Sequence, residues 1–263
     1  MTNIPSTLAQ QTQPERQAPR ANTQKNVNQT VYRIVREYSE QKKLADKNLQ
    51  LLDLPCGEAE FSLFLKDEFN NWQFTGVDFF TNVQNPQLTF HKSKAHDFFN
   101  SSMAKKYDIV LCISGIMCFD GLEKLVHSFY THMPENALLI MTNDNVLTIR
   151  DRLHFLFFGR FKRFSLLNKT FEGNWNLVLP QGLHMVLRRE NFKDINYRYC
   201  SVYPEDFILL PLALLIYPLF FLYLITRKSE LSLRQKLNLF PAQSMYCRHY
   251  VVTAYKNEKA INT

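Results

Sequence analysis

The sequence predicts an α/β fold, doubly wound around a mostly parallel seven-stranded sheet. An apolar helical insertion precedes the last strand. Three observations predict it. Short apolar runs alternate with helix-period segments from Leu49 onwards. The first run, Leu49–Leu54, holds Asp53 near its end and leads through a tight turn with Gly57 into a helix pattern over Ala59–Phe69. The chain then closes on a β-rich HYVVTAY run, His249–Tyr255.

The elements follow in order. Val31, Ile34, Val35 and Tyr38 are spaced as one face of a helix across Val27–Leu44. Leu49–Leu54 is strand one, and Ala59–Phe69 is a helix. Gln73–Asp78 is strand two and ends in an acid. Leu88–Ala95 is strand three, with Asp97 just beyond it. Tyr107–Ile113 is strand four, Leu122–Met133 a helix, and Ala137–Thr142 strand five. Gly182–Glu190 reads as a helix, Asp194–Cys200 as strand six and His249–Tyr255 as strand seven. Sheets of this kind bind ligands beyond the carboxyl ends of their strands.

Composition narrows the class. The 263 residues are 46% hydrophobic and 21% charged, enough for one well-filled core. A formal charge of +7 favours anionic partners, either a lipid surface or nucleic acid. Cys56, Cys112, Cys118, Cys200 and Cys247 are odd in number and scattered, which fits reduced thiols rather than a metal site or redox pair. Residues 1–28 are rich in Gln, Thr, Asn and Pro and read as a disordered tail without a secretory h-region. The predicted domain runs over 29–256, with a lid-like insertion at 143–181 and a membrane-associated insertion at 204–244. A short tail, 257–263, follows.

The strand-one turn, with the acids that end strands two and three, resembles the class I S-adenosylmethionine-dependent methyltransferases. The likeness covers Leu49–Val146 and weakens through Lys256. In that family the first strand leads into a turn often written DLGCGTG. Here it reads Asp53-Leu54-Pro55-Cys56-Gly57-Glu58-Ala59. The resemblance implies S-adenosylmethionine as cofactor. It sets Asp53 near the cofactor's amino end and the Pro55, Cys56 and Gly57 backbone against its methionine part. Asp78, with Phe79 beside it, would accept from the ribose hydroxyls. Asp97 and the Phe98 backbone would hold the adenine, and Ser114 would line the site after strand four. Pro55 and Ala59 depart from the family's glycines. Proline removes an N–H and alanine narrows the backbone approach, so a non-catalytic member of the fold is the rival reading. A nicotinamide dinucleotide would want a GxGxxG that this turn lacks.

No metal site is expected. The catalytic group is not determined by the sequence. His184 is the weak candidate, ahead of His154, Asp120 and His127. Ser114-Gly115-Ile116-Met117 replaces the NPPY-like tetrapeptide of adenine- and glutamine-methylating enzymes, and the strand end lacks the Pro-Cys pair of cytosine-carbon enzymes.

Phe207–Thr226 carries no charge. Ile208 to Ile225 spans about 27 Å as a helix, near the hydrocarbon thickness of a bilayer. A final strand that rejoins the sheet requires the chain to enter and leave on one side, and Pro211 and Pro218 would kink or break the helix. An in-plane or re-entrant segment meets both demands. Arg227, Lys228, Arg234 and Lys236 follow it as membrane-proximal cations. Val146–Phe164 interleaves aromatic and basic residues, a pattern that suits lipid or stacked bases. The alternatives are a buried helix pair for the first segment and an ordinary amphipathic helix for the second. The reading is therefore a methyltransferase at the cytoplasmic face of a membrane, monotopic or peripheral, acting on a lipid, a lipid-linked sugar or another small amphiphilic acceptor. An RNA methyltransferase is the further alternative.

Overall fold

A computed structural model describes residues 16–44, 47–162 and 176–257. Its sheet has seven strands: β1 (Gln50–Asp53), β2 (Gln73–Asp78), β3 (Thr89–Lys92), β4 (Ile109–Cys112), β5 (Leu138–Asp144), β6 (Phe192–Cys200) and β7 (His249–Lys256). They lie in the order β3-β2-β1-β4-β5-β7-β6. All neighbours are parallel except β7, which runs antiparallel to both β5 and β6. The doubly wound sheet expected from the sequence is present, with the reversal confined to the last strand.

Period-two alternation divides the core between the two faces. Leu51, Ile109, Leu111, Leu138 and Ile140 point to one face. There they meet α1 (Val27–Lys42) and α2 (Glu60–Glu68) through Val31, Val35, Phe61 and Leu65. Leu52, Val110, Leu139 and Met141 point to the other. They meet α3 (Ala95–Phe99), α4 (Leu122–Thr131) and α6 (Pro180–Arg189) through Phe98, Phe129, Leu183 and Leu187. The central strands are buried on both faces, so they read as unbroken apolar runs.

Boundaries shift by at most three residues from the sequence reading, and one shift matters. β5 continues past Thr142 to Asp144, because the antiparallel ladder with β7 holds it to the register Asp144↔His249. Between Lys193 and Asn196 the β6–β7 register shifts, with Asp194 at φ +50°.

The expectation of a disordered tail over residues 1–28 falls partly on residues 1–15, outside the described residues. Residues 16–28 lie on the domain. Ala18 N–H donates to Gln29 Oε1 at 2.7 Å, Asn28 Nδ2 donates to Pro19 O at 2.8 Å, and Val27 begins α1 fully buried. Side chains of α1 supply the backbone partners that this polar stretch cannot make within itself.

Insertion 143–181 contains α5 (Ile149–Phe158), capped by Thr148 Oγ1, which accepts from the Asp151 N–H at 3.1 Å. Its stretch 163–175 lies outside the described residues. Insertion 204–244 holds a short 3₁₀ helix (Pro204–Leu209), then α7 (Leu210–Thr226), α8 (Leu233–Leu239) and a second short 3₁₀ helix (Ala242–Met245). Pro211 falls in the first turn of α7, where its missing N–H costs nothing. Pro218 sits inside α7, and the helix runs on to Thr226 without a break.

One face of α7 packs on the domain. Leu209, Leu212, Ile216, Tyr217 and Phe220 surround Ala213, Ile149 and Met245. Tyr217 OH donates to Phe240 O at 3.3 Å, Lys236 Nζ donates to Leu224 O at 2.9 Å, and the Arg152 guanidinium lies over the Phe220 ring. The opposite face is exposed: Leu215 at 73% and Leu219 at 71% stand one turn apart.

Candidate active site

The site is built at the carboxyl ends of β1, β2, β4 and β5. β1 delivers Asp53 to the end of the central strand, 2% exposed. Its Oδ2 accepts from Ser62 Oγ at 2.6 Å, and Ser62 is held there in the first turn of α2. Oδ1 is buried and has no hydrogen-bond partner among the described residues. Burial pushes the Asp53 carboxyl up to about 7, with the Asp78 charge adding and the Ser62 hydrogen bond opposing. A buried carboxylate oxygen of this kind asks for a cationic or hydrogen-bonding partner.

The turn after β1 is compact. Cys56 N–H donates to Val77 O at 3.1 Å, and Thr81 Oγ1 donates to Gly57 O at 2.7 Å. Gly57 has φ +54°, and a Cβ built on it would meet nothing within 4 Å, so its backbone faces open space. Ala59 takes φ +60° at the start of α2 and is fully buried. For a non-glycine residue this conformation costs about 1 kcal/mol. Pro55 turns its ring onto the Gly115 backbone.

Asp78 ends β2. Its Oδ2 accepts from the Gly57 N–H at 2.9 Å, and its Oδ1 from the N–H groups of Phe80 and Thr81 at 2.8 and 3.1 Å. An ionised carboxylate offers about four acceptor positions, so three are filled and room remains for an outside donor. Phe79 is 47% exposed beside it, with Lys94 Nζ 5.2 Å from the ring centroid. Asp97 is exposed in the first turn of α3, and Phe98 is buried in the core.

After β4, Ser114 adopts φ +52°, a strained conformation for a non-glycine residue. Its N–H donates to Thr142 Oγ1 at 2.8 Å. Ser114 Oγ lies 3.5 Å from Thr142 Oγ1 and 3.4 Å from His249 Nε2. His249 Nδ1 lies 3.2 Å from Asp144 Oδ1. Ser114, Met117, Asp144 and His249 form one wall of a cavity of about 460 Å³, and the segment Arg20–Gln24 forms another.

Asp53, Pro55, Cys56, Gly57 and Asp78 are thus brought together, with Phe79 at their edge and Ser114 on the neighbouring strand end. His184 is placed elsewhere. It sits on α6, its ring tilted against Tyr197 of β6 with centroids 6.0 Å apart, and lines a cavity walled by α6, α7 and α8. Both of its ring nitrogens are buried without a hydrogen-bond partner among the described residues. Burial, assisted by Arg188, lowers its pKa. His127 pairs with Glu190 at 2.9 Å, and His154 Nδ1 contacts Arg160 O at 2.8 Å.

Thr142, Asp144 and His249 were not marked as site residues by the sequence. The available signal was that an acid follows strand five and a histidine opens the last strand. Reversal of β7 then sets that histidine beside the acid.

S-adenosylmethionine suits the residues present. An orphaned Asp53 oxygen matches an ammonium, open space over Gly57 admits a ligand against the backbone, and Asp78 keeps acceptor capacity.

A SAM-dependent methyltransferase from Archaeoglobus fulgidus is 17% identical and superposes with a TM-score of 0.52, over 87% of this chain and 94% of that one. The CurJ carbon methyltransferase gives 0.51 at 12% identity, over 88% of this chain and 54% of its own. The [4+2]-cyclase SpnF gives 0.50 at 14% identity, over 87% and 82%. At such identities the likeness concerns the fold, and the cyclase shows that one fold serves different chemistries. No curated protein matches the chain. The family model described as a methyltransferase domain matches residues 23–198. With that match running from the cavity-lining N-terminal segment to β6, the chain belongs to the methyltransferase-domain family, the family of methylating enzymes.

Proposed function

We propose that this protein methylates a lipid, a lipid-linked sugar or another small amphiphilic acceptor while lying in the plane of a membrane's cytoplasmic face. The observation that carries this reading is α7. Only 11% of the most apolar window of Pro204–Thr226 is buried. Its domain-facing side is packed along its length, so the helix lies along the protein and its free side is apolar. Phe155, Leu156, Phe157 and Phe158 of the neighbouring α5 are exposed as well. Exposed apolar surface of this extent marks an interaction site. Arg227 and Lys228 at its end match an anionic headgroup layer.

In this reading Asp53 holds the methionine ammonium, and the backbone of Pro55, Cys56 and Gly57 lies along the methionine part. Asp78 accepts from the ribose, with Phe79 at its side, and Asp97 and the Phe98 backbone take the adenine. When bound, S-adenosylmethionine supplies an electrophilic methyl group on a sulfonium. Ser114 and the cavity beside it orient the acceptor, because transfer requires nucleophile, carbon and sulfur in line.

The test is flotation with vesicles containing phosphatidylserine, together with labelled S-adenosylmethionine offered to separate lipid, sugar and RNA fractions. Wild type is expected to float and to label the lipid or amphiphilic sugar fraction. The Leu215→Glu/Leu219→Glu variant is expected to stay soluble with an unchanged melting temperature. Wild type that fails to float overturns the membrane part, and label in RNA alone overturns the acceptor class.

A further inference from the structure

We propose that Ser114, His249 and Asp144 form a proton relay for a hydroxyl acceptor, which makes this enzyme an O-methyltransferase. The inference rests on the methyltransferase reading above and deepens it by naming the acceptor group. Three separate strand ends supply the three residues: β4 leads to Ser114, β5 ends in Asp144 and β7 opens with His249. In the register of the sheet, Asp144 and His249 are direct partners.

His249 Nε2 lies within reach of two hydroxyls, Thr142 Oγ1 at 3.3 Å and Ser114 Oγ at 3.4 Å. Thr142 Oγ1 accepts from the Ser114 N–H at 2.8 Å and lies 3.5 Å from Ser114 Oγ. The relay takes Ser114 Oγ as donor to His249 Nε2 at 3.4 Å and His249 Nδ1–H as donor to Asp144 Oδ1 at 3.2 Å. Two further observations support a functional role. Ser114 keeps φ +52°, a strain concentrated at sites where a side chain must be aimed. Ser114 also lines the cavity of about 460 Å³. His249, 1% exposed, and Asp144 line the same cavity beside Ser114. In the relay Ser114 is the group that meets the acceptor, and His249 and Asp144 are positioning residues behind it.

A relay of this kind is what a hydroxyl needs. An amine attacks with its lone pair as it stands, whereas a hydroxyl gains strength as its proton is drawn off. In the step, an oxygen–carbon bond forms as the donor's sulfur–carbon bond breaks, the sulfur keeping the electron pair. The acceptor proton passes to Ser114 Oγ while Ser114 gives its own proton to His249 Nε2. The imidazolium is stabilised by Asp144 and releases its proton to solvent after the product leaves.

The tautomer of His249 decides the matter without any acceptor. In the full chain labelled with 15N-histidine, and assigned with His249→Asn, the proton is expected on Nδ1 with Nε2 bare. Asp144→Asn is expected to change that pattern, and Ser114→Ala to leave it in place. A proton on Nε2 in the wild type overturns the relay, since the ring then has nothing to accept with. Transfer is read on 4-octylphenol and 4-octylaniline with labelled S-adenosylmethionine. The phenol is expected to be methylated, with kcat falling about 100-fold in Ser114→Ala and His249→Asn while KM for the donor stays within twofold. Preference for the aniline overturns the relay. Where neither probe is turned over, the tautomer decides alone. Calorimetry separates the two readings: donor binding with the wrong tautomer defeats the relay only, and absent donor binding defeats the methyltransferase reading with it.

Discussion

Pro55 and Gly115 are locked together: a Cβ at Gly115 would stand 2.3 Å from both Cδ and Cγ of the Pro55 ring. This contact ties the turn after β1 to the turn after β4, and so holds the expected cofactor seat against Ser114. Gly115 has φ −116°, which any residue adopts, so its need for glycine is one of space. Gly115→Ala is expected to cost about 2 kcal/mol by overpacking. Pro55→Gly is expected to restore most of it in the double variant. A denaturant-based double-mutant cycle checks the coupling; additive effects would count against the contact.

Asp53 governs a pH dependence of stability. Its folded carboxyl titrates at about 7, above the ordinary carboxylate value, because of burial. Between about pH 4 and 7 the folded state therefore keeps a proton that the unfolded state has released. Stability falls as pH rises through that window and levels off above it, by at most about 4 kcal/mol from this group. Asp53→Asn is expected to flatten that slope and to raise the melting temperature at pH 8. The same variant is expected to weaken S-adenosylmethionine binding at least about tenfold, since a neutral amide replaces the partner of an ammonium. Melting curves from pH 4 to 8 and calorimetry read the two effects separately.

Asp206 anchors the start of the α7 insertion. Its Oδ1 lies 2.7 Å from Arg248 Nη2 and its Oδ2 accepts from Arg248 Nε at 2.7 Å, while the guanidinium sits 4.4 Å from the Tyr203 ring centroid. Asp206 is 5% exposed, and the neighbouring Glu205 side chain, which also reaches Arg248 at 2.7 Å, is half exposed. Asp206→Ala is expected to cost about 3 kcal/mol by leaving a largely buried cation short of its partner. Glu205→Ala is expected to change stability little, because solvent already screens it. Thermal unfolding of the two variants gives the comparison.

Charge at the end of α7 should tune membrane attachment. Arg227, Lys228 and Arg234 are exposed after or beside the apolar face. Each basic residue near an anionic surface contributes about 1 kcal/mol, or roughly fivefold in partitioning. Arg227→Ala/Lys228→Ala is expected to lower binding to phosphatidylserine vesicles about 25-fold at low salt, with a smaller effect at high salt. Equal loss on neutral vesicles would show that the cations act by another route.

The strand order follows from features that are local in the chain. Leu51 and Leu52 alternate faces because successive residues of a strand do, and Asp53 and Asp78 reach one sheet edge because each ends a parallel strand. Those acids were legible because the information lies within a few residues of each. Asp144 was harder to place. Its membership of β5 depends on a ladder with β7, more than a hundred residues on, that no local propensity encodes. His184 has the opposite history: a histidine opening a helix pattern drew notice, and packing put it in a different cavity.

Sequence by itself therefore determined the alternating elements, the acids at the strand ends and an uncharged segment before the last strand. Tertiary structure decided which residues meet. An antiparallel β7 reverses the chain and sets His249 against Asp144 and Ser114, which lie in distant segments of the chain. Packing of α7 along Ile149 and Met245 decided that its apolar surface has a buried side and a free one, something its all-round hydrophobicity could not encode. Periodicity is a property of neighbouring residues, whereas contact between distant strand ends depends on how the whole sheet closes.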